Sequence, residues 1–266
     1  MFKNRFDLRK VAAIAACLAV TIGFASCEKD DLNTDTVDVK LLDTETSGLF
    51  HSRKFVYDEQ NRMKEIGRYW VGGILGSKVS ITYAGEDLTK FEYTYFDGDG
   101  EVRDVYIRNF IKNGNTISWS EGVFIVEVEG EGPISTITLN NDGFPEKLEE
   151  ELYNYTWVST FTFLNGNLTN YVYDYSSVIN DPGERNYTYN AKRSAFSGCN
   201  TPKWFLFLQF REMASHNAVT SSSFSTGMPF YSCSYEFDRD GFPKKIFFGS
   251  KAEDITEYTY KNQGYE

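Results

Sequence analysis

A cluster of carboxylates is a candidate metal-binding site in this sequence. Asp97, Asp99 and Glu101 alternate with glycine, and calcium prefers such oxygen ligands. However, no Glu closes a calcium-binding loop at its twelfth position. The Asp99-Gly100 step is typical of a tight turn between two strands. The sequence therefore favours a hairpin over a calcium site.

The other acid and base groups do not form a catalytic motif. Glu149, Glu150 and Glu151 are adjacent, and adjacent strand residues point to opposite faces. His51 and His216 are the two histidines of the chain, and no nucleophile-elbow or His-Glu-x-x-His motif is present. We therefore expect no enzymatic activity, metal or cofactor. A hydrolase built on two carboxylates that only the fold brings together stays open as a less favoured alternative.

Cys27 is the residue with the clearest chemical assignment. It follows a basic head, an apolar run and small residues, an order typical of a secretory signal. The apolar run, 11–24, has 14 residues, whereas a membrane-spanning helix needs about 20. The sequence Phe-Ala-Ser-Cys at 24–27 resembles the lipobox of bacterial lipoproteins. That resemblance implies cleavage before Cys27, acylation of Cys27 and membrane contact through the lipid.

The residues after Cys27 indicate where the lipoprotein is delivered. Lys29, Asp30 and Asp31 resemble the Lys-(Asp/Glu)₂ export signal of Bacteroidota lipoproteins that are moved to the cell surface. The resemblance implies a lipid-anchored protein of the outer membrane, exposed at the cell surface. An ordinary acidic linker on a protein that faces the periplasm is the alternative.

Composition divides the chain into three parts. Residues 1–26 form the signal peptide, and 27–48 are acidic, rich in Thr and poor in aromatic residues, which is typical of a flexible tether. A tether of this length spans about 25 Å. Residues 49–266 show no break in composition, so we expect one domain there.

Charge limits the classes of partner. The first 26 residues carry four basic side chains and one acidic one, so the chain after them has 23 basic and 37 acidic residues and a net charge of −14. Such a surface repels phosphate backbones, which argues against nucleic acid. Glycans, peptides and partner proteins stay open.

Cys199 and Cys233 are the cysteines that remain beyond the signal and Cys27. Their even number and the oxidising compartment predict a disulfide. It would close a loop of about 35 residues and stabilise the fold by roughly 3–4 kcal/mol. Two buried, unpaired thiols are the alternative.

Short strands make up most of the domain, and they carry the remaining candidate residues. Runs such as 91–95 and 171–175 place an aromatic residue at every second position, the period of a strand with one apolar face. Tyr93, Tyr171 and Tyr173, together with Tyr187, would then share one side of the sheet. They form a candidate ligand face, because aromatic rings stack on sugars. Ordinary packing in the core is the alternative.

Turn signals recur between the strands and repeat in sequence. The segments 139–148 and 237–246 share an apolar residue, then Asp or Asn, then any residue, then Asp-Gly-Phe-Pro. The segments 55–66 and 95–105 are similar. We predict an all-β, antiparallel up-and-down meander of roughly 14–16 strands, strongly curved or barrel-like. The repeats resemble the tyrosine-aspartate repeats of large bacterial shells. They resemble more closely Bacteroidota lipoproteins of unknown function with a porin-like fold, which implies a β-barrel-like domain.

One segment, 199–217, lacks the alternation of a strand. Thr201 is a candidate helix cap and Pro202 suits a first turn. The following residues, including Trp204 and Leu208, are apolar on all sides, which predicts a short buried helix. A buried strand is the alternative.

Together these features predict a lipid-anchored, non-catalytic binding module for a glycan, a peptide or a partner protein. An envelope structural or accessory protein without a small ligand is the alternative. A barrel that spans the membrane is disfavoured, because the second strand faces carry polar residues such as Glu92, Asp174 and Glu257.

Overall fold

The computed structural model of this protein describes residues 40–47, 51–120, 122–123, 134–152, 155–174, 183–249 and 255–262. The predicted signal peptide, 1–26, lies outside the described residues, as do Cys27, Lys29, Asp30 and Asp31. Residues 40–47, which the sequence assigned to the tether, form a strand of the domain. The predicted boundary at residue 48 is therefore too late.

The described residues contain 18 strand segments. In chain order they are β1 (Lys40–Ser47), β2 (His51–Tyr57), β3 (Met63–Trp70), β4 (Leu75–Ala84), β5 (Asp87–Phe96), β6 (Val102–Asn109), β7 (Ile111–Asn113), β8 (Thr116–Ser120), β9 (Gly122–Val123), β10 (Ile134–Leu139), β11 (Pro145–Leu152), β12 (Tyr155–Leu164), β13 (Asn167–Asp174), β14 (Gly183–Arg193), β15 (Asn217–Phe224), β16 (Pro229–Phe237), β17 (Pro243–Phe248) and β18 (Ile255–Asn262).

The strands pair as an antiparallel meander that curves into a barrel. β1 pairs with β2 on one side and with β18 on the other, so the two ends of the meander meet. Tyr106 opposite Val123 and Ile111 opposite Ser118 belong to one register, so β6 and β7 together face β8 and β9 as one interrupted hairpin. The predicted fold class is confirmed, and these interruptions account for the larger number of segments.

Four hairpin loops share one hydrogen-bond pattern. In each, the side-chain Oδ1 of an Asp or Asn accepts from the backbone N–H groups two and four residues later. The residue three positions later has positive φ, which Gly and Asn tolerate. The anchoring residues are Asp58, Asp97, Asn140 and Asp238. The repeated sequence pattern thus encodes a repeated hairpin, and Asp97 belongs to one.

The segment between β14 and β15 forms the predicted helix. It consists of α1 (Lys203–Phe210) and a 3-10 turn, Arg211–Ala214. The predicted cap is wrong: Pro202 occupies the N-cap position, and no side chain caps the helix. The hydroxyl of Thr201 instead accepts a hydrogen bond from the backbone N–H of Met63, at 2.6 Å.

The helix lies inside the barrel. The ring centroid of Phe205 lies 5.7 Å from that of Phe91 on β5, and that of Phe207 lies 4.8 Å from Phe161 on β12. Phe210 lies 6.0 Å from Phe55 on β2. Because these strands belong to separate parts of the wall, the helix fills the space between them with aromatic core.

The two remaining cysteines are free thiols in the structure. Cys199 precedes the helix and donates to the Thr201 hydroxyl at 3.1 Å. Cys233, on β16, donates to the carbonyl of Val219 at 3.0 Å. The structure therefore contains the alternative, two unpaired thiols, because Cys199 bonds to Thr201 beside β3 whereas Cys233 bonds to Val219 on β15.

Candidate functional site

A cavity of about 290 Å³ opens in the part of the barrel wall formed by β2, β3, β4 and β5. Its lining includes Arg53, Arg68, Trp70, Tyr93 and Tyr95. Trp70 is 55% exposed and Tyr95 is 40% exposed, so the cavity is open to solvent at this rim.

Strand register brings these side chains together. Arg53 lies opposite Arg68, Arg68 opposite Ser77, and Ser77 opposite Tyr95. Directly opposite residues of antiparallel strands share a face. The four side chains therefore form one row across four strands, on the side that faces the barrel interior.

A second row, one step closer to the helix, lies beneath the first. Phe55, Ile66 and Val79 lie opposite one another along the pairings and are buried, and Val79 lies opposite Tyr93. The Phe55 ring contacts Phe210 of the helix. The cavity thus has an apolar floor that continues into the core.

The two arginines are placed differently within the cavity. Arg53 Nη1 lies 3.5 Å from Glu45 Oε2 on β1. Arg68 Nη1 donates to Tyr93 Oη at 3.2 Å, and the guanidinium carbon lies 5.5 Å from the centre of that ring. Burial raises the pKa of Glu45, while the charges of Arg53 and Arg68 act in the opposite direction.

Aromatic rings form the rim. His51 and Trp70 lie edge to face with ring centroids 4.8 Å apart, and Tyr93 and Tyr95 have centroids 4.4 Å apart. The indole of Trp70 lies directly over Gly76, where a Cβ atom would overlap with its Nε1. Glycine at position 76 therefore allows Trp70 to pack against the strand and form part of the cavity wall.

The four tyrosines predicted as a ligand face all pack against the interior core. Tyr93 lines the cavity. Tyr171 and Tyr187 are only 8% and 7% exposed, and Tyr171 stacks on Phe161 at 5.2 Å. Tyr173 is partly buried and covers Gly183. The core interpretation thus applies to Tyr171 and Tyr187, and the cavity does not bring them together with Tyr93.

Arg53, Arg68 and Trp70 are not among the site residues predicted from sequence. Their signal was nevertheless present, because alternation in His51–Tyr57 places Arg53 on the same face as Phe55. Alternation in β3 likewise places Arg68 and Trp70 with the buried Ile66. In each of these two strands the inward arginine is next to a buried apolar residue of the same face, Phe55 for Arg53 and Ile66 for Arg68.

Within the described part of the chain, no three His, Cys, Asp or Glu side chains are grouped as a metal site would require. No helix among these residues is long and apolar enough to cross a membrane.

Comparison with known proteins gives a structural likeness only. No family model and no curated protein matches the sequence. A porin-like protein from Bacteroides uniformis is similar with a TM-score of 0.39 and 12% identity, over 82% of this chain and 96% of that one. A porin-like protein from Bacteroides vulgatus gives 0.37 and 10%, over 83% and 99%.

Proposed function

We propose that this protein is a non-catalytic module that binds a glycan at the cavity between β2 and β5. The observation that carries the proposal is the open aromatic rim, where Trp70 and Tyr95 are exposed above the buried floor. Aromatic faces stack on the apolar faces of sugar rings. At about 290 Å³, the cavity has the size of the smaller ligand pockets of proteins.

The chemistry of the lining suits binding better than catalysis. The groups that converge are aromatic rings, two guanidinium groups and the hydroxyl of Ser77, which lies 2.8 Å from Tyr93 Oη. The nearby carboxylate of Glu45 forms an ion pair with Arg53. These groups can orient a ligand through hydrogen bonds and stacking, and they do not supply the two carboxylates of a glycosidase.

The location we propose rests on the N-terminal sequence. The lipobox-like segment supports acylation of Cys27, and Lys29, Asp30 and Asp31 support export to the outer face of the outer membrane. The periplasmic face is the alternative. In either place, more than one acyl chain gives stable anchoring, and the acidic domain captures its ligand beside the membrane without contacting nucleic acid.

The test of glycan binding is a calorimetric screen of the purified mature protein against host and dietary polysaccharides. We expect at least one to bind, and Trp70→Ala to lose most of that affinity. Phe230→Ala is the matched control, because Phe230 is an exposed aromatic residue outside the cavity lining. Equal affinity of Trp70→Ala and the wild type would show that the cavity is not the site.

The second candidate is an envelope structural protein with no small ligand. It is favoured by the helix and by Tyr171 and Tyr187, which fill much of the interior with core. Absence of binding to every polysaccharide, with a folded protein, is the result that this candidate predicts.

A further inference from the structure

We propose that the glycan is acidic, and that a carboxylate or sulfate group on it contacts Arg68 and Arg53. This inference rests on the proposed function and names its substrate class. The cavity would hold the charged group at the row of arginines and the sugar ring at the rim beside Trp70.

The first support is the local charge. Arg53 and Arg68 lie directly opposite each other, an arrangement of like charges that destabilises a sheet unless a negative charge is nearby. Glu45 provides one carboxylate and lies 3.5 Å from Arg53. The cluster therefore keeps one positive charge in excess, although the chain as a whole has a net charge of −11.

The second support is the incomplete bonding of Arg68. Among the described residues, its guanidinium makes one hydrogen bond, to the neutral hydroxyl of Tyr93, although the group has five N–H donors. Its Nε is buried without a hydrogen-bond partner, and no described carboxylate lies within ion-pair distance of it. A partly desolvated guanidinium of this kind binds anions strongly.

The third support is the arrangement of charge and aromatic surface. Trp70 and Arg68 are two residues apart on β3, so both project from the same face of the strand. A ligand that stacks on Trp70 therefore places its next substituent near the guanidinium. An acidic sugar carries both an apolar ring face and an anionic group, whereas a small acid such as acetate has no ring face to stack on Trp70.

The test compares oligosaccharides that differ only in charge. The probes are a galacturonate oligomer, a neutral galactose oligomer of the same length and its sulfated form, each titrated into the purified mature protein by calorimetry. We expect the carboxylated or the sulfated form to bind about tenfold more tightly than the neutral form, since charge-assisted hydrogen bonds are the stronger ones. The form that binds more tightly identifies the anionic group that the cavity prefers.

Variants assign the preference to Arg68. Arg68→Gln should lose most of the preference for the acidic oligomers, since Glu45 already pairs with the remaining Arg53, and Arg68→Lys should keep part of it because it keeps the charge. Arg239→Gln, an exposed arginine outside the cavity, is the control and should behave as the wild type. Thermal melting of each variant checks that it folds.

The outcomes separate the two proposals. Equal binding of all three oligomers, unchanged in Arg68→Gln, would leave glycan binding in place and overturn the acidic preference. Binding of none of them, with a glutamate-rich peptide binding instead, would overturn both proposals. More salt should weaken binding of the acidic oligomers only, since screening acts on charge.

Discussion

At the scale of single residues, Gly76 has the most direct influence on the cavity. Trp70 occupies the space that any larger side chain at position 76 would fill. Gly76→Ala should therefore displace the indole, weaken glycan binding and cost about 1–3 kcal/mol of unfolding free energy, as overpacking does. Calorimetry and chemical denaturation measure the two effects.

Gly98→Ala is the matched control for this prediction. A Cβ at position 98 meets no atom within 4 Å, so this variant should keep the affinity and stability of the wild type. If Gly76→Ala and Gly98→Ala behave alike, Trp70 does not depend on the glycine.

Arg211 is a second residue with an unusual conformation. It ends α1 with φ 48° and ψ −128°, a region that only glycine adopts without strain. We therefore expect Arg211→Gly to be more stable than Arg211→Ala by about 1–2 kcal/mol, since both lose the guanidinium beside Tyr171 and only glycine relieves the strain. Chemical denaturation of the pair measures the difference, and a more stable alanine variant would contradict the account.

The roles of single side chains were harder to predict from the sequence than the strands and turns. Alternation correctly indicated which tyrosines share the interior face, but not how deeply each is buried. Tyr93 and Tyr171 have the same strand pattern, yet Tyr93 lines the cavity, whereas Tyr171 stacks on Phe161, which packs against Phe207 of the helix. Arg68 was missed because charged side chains are normally exposed.

At the scale of elements, the hairpin between β16 and β17, which Asp238 anchors, is bonded to β1, the first strand of the domain. Asp238 accepts from two backbone N–H groups and from Lys40 Nζ at 2.7 Å. Burial opposes the charged form, but the hydrogen bond from Lys40 and those from the backbone outweigh it and lower the pKa of Asp238 below its ordinary value of 3.8. Its charge therefore stabilises the folded state.

Asp238→Asn isolates that charge, because Asn140 anchors the equivalent hairpin as an amide. We expect a loss of about 1 kcal/mol at pH 7. Because the folded pKa is lowered, the advantage of Asp over Asn is present above pH 3.8 and disappears as the pH falls through the folded pKa. Denaturation at pH 7 and at about pH 2 measures both values; a difference that does not change with pH would contradict the role of the charge.

Truncation of the buried side chains of the helix should lower the free energy of unfolding strongly. Trp204 is buried and lies 5.1 Å from Phe110, so Trp204→Ala should cost about 3–5 kcal/mol. Leu208 is only partly buried, and Leu208→Ala should cost less. Urea denaturation gives both values, and a larger loss for Leu208→Ala would mean that the helix faces another way.

Strands, turns and the helix were the features that the sequence predicted best. Strand alternation, the Asp-Gly turns and the apolar segment each have a local physical signal, and the structure contains all three. The cap at Thr201 was wrong because its hydroxyl bonds to Met63, 138 residues away in the chain. Local capping rules do not include such a tertiary partner.

At the scale of the whole molecule, the barrel depends on the first described strand. β1 pairs along its length with β18 and at one end with β2, which joins the two ends of the meander. The sequence left open whether the sheet closes, because strand alternation fixes faces and not distant partners. The acidic, Thr-rich composition of residues 27–48 also led to the prediction that β1 belongs to the tether.

Glycan binding at the cavity beside Trp70 can be observed directly at the indole of that residue. The chain has four tryptophans, so a two-dimensional NMR spectrum of the indole N–H groups resolves them, and Trp70→Phe assigns the signal of Trp70. Titration with a glycan that binds should shift this signal, while the signals of the buried Trp119 and Trp204 stay in place. A glycan that binds and leaves the Trp70 signal unmoved would contradict the account.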